Sequence, residues 1–141
     1  MAPLVDSQPV TPRDSIGELV SGGSVTVDEK LTLRSIAAVL SAADVGAALV
    51  HRDNRPVGIV SERDVIRALA DEADPETVWS ADVMTQDLVT ADAGEEILRV
   101  AFRMIDESIR HLAVTQDGQV IGVVSSRDVF AVLAEDVRET W

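Results

Sequence analysis

The sequence predicts an α/β (α+β) fold made of two copies of one β-α-β-β-α unit. The first observation is a repeated segment: residues 58–65 read GIVSERDV, and residues 122–129, 64 positions later, read GVVSSRDV. The second is that this register holds without a gap from residues 25–70 against 89–134. A match of that length indicates a tandem repeat. Because a unit of about 60 residues has a marginal core by itself, we expect the two units to share one.

Hydrophobic spacing predicts the elements of the first repeat in chain order. From Leu33, apolar residues recur at the i, i+3, i+4 and i+7 positions of an amphipathic helix. Short apolar runs bounded by turn residues predict strands. The predicted elements are a strand at residues 25–27, a helix around 33–40, strands at 47–50 and 57–60, and a helix around 65–69.

The second repeat copies this order. Its first helix carries the same apolar stripe, beginning at Ile97. Two strands, at residues 111–114 and 120–124, flank Asp117-Gly118, a dipeptide typical of tight hairpins. A last helix around residues 129–133 closes the unit.

Proline and acidic residues mark the boundaries between these parts. Residues 1–13 contain three prolines and no regular period, which predicts a flexible N-terminal arm. We assign residues 14–73 to the first repeat, 74–79 to a polar linker and 80–141 to the second repeat. Trp79, at the end of the linker, is expected to be a hydrophobic plug between the units.

Composition excludes several classes of function. The net charge is −13, from 25 acidic and 12 basic residues, and it would repel a nucleic-acid backbone. Neither a membrane-spanning run nor an export signal is visible, so we expect no membrane partner and a cytoplasmic location. The absence of cysteine excludes disulfides, thiolate metal sites and cysteine nucleophiles.

The paired units resemble two cystathionine-beta-synthase (CBS) domains, the tandem known as a Bateman module. The resemblance is carried by the two repeated octapeptides, by residues 82–85 (DVMT) and by residues 109–114 (IRHLAV). It implies two repeats packed with pseudo-twofold symmetry. It also implies that the cleft between the repeats binds an adenosine-containing ligand such as AMP, ADP, ATP, S-adenosylmethionine or NAD.

The residue types in the motifs suit that chemistry. The carboxylates of Asp64 and Asp128, one turn into a helix, can accept both hydrogen bonds of a ribose diol. Serine hydroxyls, free N–H groups at the helix starts and neighbouring arginines can receive phosphate. Gly58 and Gly122 leave room for the backbone to approach a ligand. The predicted nucleotide-binding residues are Ser61, Arg63, Asp64, Thr85, Arg110, His111, Ser125, Arg127 and Asp128.

The two halves of the predicted site differ. The second repeat has Arg110 and His111 where the first has Gly46 and Ala47. In similar proteins a basic pair at this point meets phosphate. The alternative is a solvated arginine and a histidine at a strand edge.

A purely structural interpretation of the motifs stays open beside the binding one. Ser-x-x-Asp at a helix start is also close to a capping box, which stabilises ordinary helices. The chain would then be a ligand-free protein–protein interaction module. An enzyme is a third possibility, but no hydrolase elbow, phosphate loop, dinucleotide fingerprint or metal-spaced histidine pair is present, so we expect no catalytic residue and no metal.

A sensor of this kind needs an output. Because the sequence contains no effector domain, we expect signalling to an effector protein in trans. We also expect a homodimer formed through the helices that carry Leu40, Leu69, Met104 and Leu133, since their apolar faces exceed what one core needs.

Overall fold

The computed structural model describes residues 8–20 and 24–141 and has the predicted order of elements in both repeats. The first repeat contains β1 (Thr26–Asp28), α1 (Leu33–Ala43), β2 (Ala47–Arg52), β3 (Arg55–Ser61) and α2 (Glu62–Ala70). A short helix, α3 (Ser80–Val83), leads into β4 (Thr90–Asp92), α4 (Ile97–Asp106), β5 (His111–Gln116), β6 (Gln119–Ser125) and α5 (Ser126–Thr140). A 3₁₀ turn, Ile16–Leu19, precedes β1 in the same way that α3 precedes β4.

Each repeat forms one three-stranded sheet with the same topology. The first strand pairs in parallel with the second, and the second pairs antiparallel with the third. Both antiparallel pairs have a register shift at the matching point, Val50/His51 in one and Val114/Thr115 in the other. The prediction of a β-α-β-β-α tandem is therefore confirmed, and the two sheets also share an irregularity that the sequence did not predict.

The apolar residues form a core in each unit and a smaller cluster between the units. Ile36, Val50 and Val60 lie in the first core, with partners from α1 and α2. The shared cluster consists of Ala47, Leu49, Ile59 and Ala113, from β2 and β3 of the first sheet and β5 of the second. The expectation of one shared core is therefore met only by this smaller cluster, because each repeat also has a core of its own.

The segment that leads into each repeat packs on the other repeat. Ile16 is fully buried in the second core, and its N–H donates to Glu95 O at 2.8 Å. Ser80, 64 positions later, is fully buried against the first repeat, where its N–H donates to Leu31 O at 2.8 Å and its hydroxyl to Asp28 O at 2.8 Å. Each unit is therefore closed by the segment that precedes the other one.

The described part of the predicted N-terminal arm also packs on the second repeat. Residues 1–7 of the arm lie outside the described residues. Val10 packs against the second core, and the Pro12 carbonyl accepts a hydrogen bond from the Leu98 N–H at 3.0 Å. Val10 and Pro12 therefore contact the second repeat, and the burial of Val10 favours this contact.

The prediction that Trp79 is a buried plug is wrong. Its side chain is 43% exposed, and Lys30 Nζ lies 5.9 Å from the centre of its ring. The next residue, Ser80, takes the buried position instead.

In the part of the chain described, no helix is long and apolar enough to cross a bilayer.

Candidate functional site

Both repeated motifs face one cleft of about 1000 Å³ between the two units. In each repeat the last strand ends at the motif serine, and the last helix begins at the next residue. This junction puts the start of the helix at the cleft wall, where the first N–H groups have no partner within the helix itself. The residues predicted to bind nucleotide all line this cleft: Ser61, Arg63, Asp64, Thr85, Arg110, His111, Ser125, Arg127 and Asp128.

The motif serines and aspartates form complete capping boxes. Ser61 Oγ accepts from the Asp64 N–H at 3.3 Å, and Asp64 Oδ2 accepts from the Ser61 N–H at 2.8 Å and from its hydroxyl at 2.9 Å. Ser125 and Asp128 make the same pair of backbone contacts, at 3.1 and 3.3 Å. The local sequence therefore stabilises both helix starts whether or not a ligand binds.

Capping leaves part of each motif available. The box uses Oδ2 of each aspartate, and within the described ranges Oδ1 of Asp64 and of Asp128 has no hydrogen-bond partner. A carboxylate with one such oxygen in an open cleft can still accept from a hydroxyl group.

The helix starts offer fewer backbone donors than the sequence suggested. The N–H of Glu62 donates to Gly46 O at 2.9 Å, and the N–H of Ser126 donates to Arg110 O at 2.7 Å. The third N–H of each helix is held by the motif serine. Among the described residues, only the second N–H, that of Arg63 or Arg127, has no partner at each helix start. A bound anion could accept a hydrogen bond from this one backbone N–H at each helix start, and its other hydrogen bonds would have to come from side chains.

The two motif glycines are required by protein packing, which corrects the expectation that they make room for a ligand. A Cβ added at Gly58 would lie 2.7 Å from Met84 Sδ and 2.8 Å from Thr85 O. At Gly122 it would collide with Val20. Each glycine thus admits the segment that leads into the other repeat.

Close packing at Gly58 fixes Thr85 at the cleft. Thr85 and Ile59 exchange two backbone hydrogen bonds, of 2.8 and 3.0 Å. The main chain of Thr85 is therefore held against β3, and its side chain is available to the cleft. The matching position in the first repeat, residue 21, lies outside the described residues.

His111 crosses the cleft from one repeat to the other. It begins β5, and a Cβ added at Gly46 would lie 3.0 Å from its Nε2. Burial lowers the pKa of His111 below its usual 6.5, although the nearby carboxylates of Glu62 and Asp128 act in the opposite direction. The imidazole is therefore neutral at pH 7 and can accept or donate one hydrogen bond. The adjacent Arg110 is exposed to solvent.

The sequence interpretation missed several charged residues at the cleft. Asp44, Glu62, Arg67 and Asp87 also line it. An alignment of the two repeats, which already pairs Gly46 with Arg110, would have identified two of these residues. Asp44 and Glu62 are paired with serines, Ser108 and Ser126. No group of three or more metal-binding side chains occurs among residues 8–20 and 24–141.

Comparison with known proteins identifies the repeats. A family model described as CBS domain matches residues 10–71 and again residues 80–135. An uncharacterized protein of Methanocaldococcus jannaschii is 31% identical over 124 residues, which are 87% of this chain. The chain spans only 44% of the length of that relative.

Solved structures of similar proteins have the same fold. A CBS domain protein from Pyrobaculum aerophilum, complexed with AMP, is 33% identical, with a TM-score of 0.76 over 86% of this chain and 96% of that one. The CBS domain pair of protein MJ0100, in complex with 5′-methylthioadenosine and S-adenosyl-L-methionine, is 22% identical, with a TM-score of 0.79 over 89% of this chain and 99% of that one. At that identity the second likeness shows the fold alone.

Proposed function

The chain belongs to the CBS domain family, and from this premise we propose that it is a regulatory module that senses an adenosine-containing nucleotide in the cleft between its repeats. One observation carries the proposal. The two Ser-x-Arg-Asp motifs, 64 positions apart, line the same cleft, and each keeps one carboxylate oxygen without a partner among the described residues.

Each half of the cleft has a group suited to each part of such a ligand. Asp64 and Asp128 would accept hydrogen bonds from a ribose diol through Oδ1, while Oδ2 stays in the capping box. Phosphate would be received by Arg110, His111 and Thr85 at the centre, and by the arginine and serine of each motif. The cleft, at about 1000 Å³, is at the upper end of the usual range for small-molecule sites.

AMP is the first ligand to test, because the Pyrobaculum protein, with 33% identity, is complexed with it. ADP, ATP, S-adenosylmethionine and NAD share the adenosine that the aspartates would hold. A thermal-shift panel of these ligands, with inorganic phosphate and GMP as controls, tests the proposal. A ligand at about 100 times its Kd adds about 2.7 kcal/mol of stability, which is a rise of several degrees in Tm. No rise with any adenosyl ligand would contradict it.

The output of the module requires a partner. We propose that the module is regulatory rather than catalytic, and that in the cytoplasm it passes ligand occupancy to an effector protein. Ligand can do this only if it binds two arrangements of the repeats with different affinity. The cross-packed leading segments, Ile16–Leu19 and α3, couple the two repeats and are the elements best placed to respond.

We also propose a homodimer that covers the outer faces of the helices. Leu40 and Met104, named in the sequence prediction, are buried in the cores. The outward apolar residues are instead Ile66 and Leu69 on α2, Phe102 and Ile105 on α4, and Phe130 on α5, each 44 to 64% exposed. Burying such a stripe favours self-association. Light scattering should give twice the chain mass of 15.1 kDa, and a value near 15.1 kDa at micromolar concentration contradicts the dimer.

The complete capping boxes favour one alternative, a ligand-free interaction module. In that case Ser61, Asp64, Ser125 and Asp128 would serve only to start their helices. The same thermal-shift panel separates the two functions, since a ligand-free module gains no stability from any nucleotide.

A further inference from the structure

The two halves of the cleft differ in charge at matched positions. Among the pairs of residues 64 positions apart that line it, three differ in charge: Asp44 and Ser108, Gly46 and Arg110, and Glu62 and Ser126. The side bounded by α2 therefore has two carboxylates at these positions, where the side bounded by α5 has one arginine and no acid. The serine, arginine and aspartate of the Ser-x-Arg-Asp motif are the same on both sides and do not change this comparison. Outside these pairs, Arg67 and Asp87 contribute one charge of each sign.

Glu62 is the acid at the start of α2. Its N–H is held by Gly46 O at 2.9 Å, which fixes the first residue of the helix beside the cleft centre. A Cβ added at Gly46 would lie 3.4 Å from Glu62 Oε1 and 3.0 Å from His111 Nε2. The carboxylate and the imidazole thus lie close to the same point, beside the start of α2, where an anionic group bound at this helix would meet the carboxylate.

We propose that Glu62 selects ligands by charge: it weakens the binding of a negatively charged 5′ group in the α2 half of the cleft, so that phosphate binds more tightly in the α5 half. The α2 half then prefers an adenosyl ligand whose 5′ group is neutral or cationic, such as a thioether or a sulfonium. This inference rests on the proposed function of the cleft.

The opposing charges on the α2 side do not cancel the effect. Arg67 lies more than one helical turn beyond Glu62, and the cation of Arg63 has its equivalent, Arg127, on the other side. A carboxylate within several ångströms of a phosphate, at the high effective dielectric of an open cleft, weakens binding by about five- to tenfold. Added salt should reduce the discrimination.

The experiment isolates the α2 half and changes only the charge. In an Asp128→Asn background, calorimetry compares AMP with 5′-methylthioadenosine, which has a neutral thioether in place of phosphate. Glu62→Gln should raise the affinity for AMP about five- to tenfold and change that for 5′-methylthioadenosine less than about twofold. Glu62→Ser, which installs the residue of the second repeat, should do the same. Glu139→Gln on α5, outside the cleft lining, makes the same change in net charge and should alter neither affinity.

Two results would overturn the inference. If both Glu62 variants keep the wild-type ratio of AMP to 5′-methylthioadenosine affinity, or shift both ligands equally, Glu62 does not select by charge. If neither the wild type nor any variant binds an adenosyl ligand, the proposed function fails and this inference fails with it. Melting curves of both variants show that the comparison is made between folded proteins.

Discussion

Replacing Asp64 by Asn separates ligand binding from helix capping at the first motif. Asp64 lines the cleft, and its carboxylate has one oxygen, Oδ2, in the capping box with Ser61 at 2.8 Å, while the other oxygen has no partner among the described residues. Asparagine has one acceptor oxygen, so it can keep the backbone contact to Ser61. It loses the charge and the second acceptor, which a ribose diol needs.

The expected magnitudes differ enough to measure. Hydrogen bonds to a charged group contribute about 1.5–3 kcal/mol, so Asp64→Asn should weaken adenosine binding in the α2 half about ten- to hundredfold. The free energy of unfolding should fall by less than about 1 kcal/mol, because most of the cap is kept. Ser61→Ala should do the reverse, losing about 0.5–2 kcal/mol of stability with adenosine affinity unchanged.

Calorimetry with adenosine and urea unfolding of the same variants make the test. Adenosine is the probe because it lacks the phosphate that Ser61 is also proposed to contact. Asp128→Asn is the matched variant for the α5 half. Adenosine affinity that is identical in the wild type, Asp64→Asn and Asp128→Asn would refute the assignment of the aspartates to ribose and leave them as caps.

Three further predictions test the packing and the basic pair. Gly58→Ala should lower the free energy of unfolding by about 1–3 kcal/mol, because the added Cβ would lie 2.8 Å from the Thr85 carbonyl oxygen. In the control Gly94→Ala, the added Cβ would lie 3.3 Å from a single side-chain atom, and the loss should be less than about 0.5 kcal/mol. Thermal melts compare the two variants, and equal losses of stability would contradict the packing argument. Because burial lowers the pKa of His111, the folded state binds fewer protons than the unfolded state as the pH falls through 6.5. The free energy of unfolding should therefore be highest well above pH 6.5 and should decline as the pH falls below it. Urea unfolding between pH 7.5 and 6 should show this decline in the wild type and a smaller one in His111→Asn, and equal declines would contradict it. Arg110→Ala should lower the affinity for AMP by about two- to fivefold, as expected for an exposed ion pair, and leave the affinity for adenosine unchanged. Calorimetry with both ligands checks this. An equal loss of affinity for both ligands would mean that Arg110 supports the structure and does not contact phosphate.

The fold was largely predictable because its information is local and repeated. The spacing from Leu33 and from Ile97 identifies helices, and the Asp117-Gly118 turn identifies a hairpin without any tertiary knowledge. The repeat then doubles each of these signals. All nine predicted site residues line one cleft. Six of them lie at the end of β3 or β6 or in the first turn of α2 or α5, and the pattern located these elements. His111 is the first residue of β5, Arg110 lies directly before it, and Thr85 lies between α3 and β4.

The packing features that the sequence did not predict depend on contacts between distant segments. Nothing local indicates that Ile16 packs in the second repeat or that Ser80 closes the first. A small polar residue such as Ser80 gives no hydrophobic signal, so the burial was expected of its neighbour Trp79. The motif glycines also look ligand-related in sequence, because only the fold brings residues 84–85 against Gly58.

The most direct test of the central claim is a calorimetric titration of AMP into the purified chain, after mass spectrometry has shown that no nucleotide co-purified. A sensor module predicts saturable binding that is lost when Asp64→Asn and Asp128→Asn are combined, with the double variant still folded by its melting curve. Absence of binding heat at millimolar AMP, or binding that the double variant retains in full, would contradict the proposal that the motif aspartates hold an adenosyl ligand.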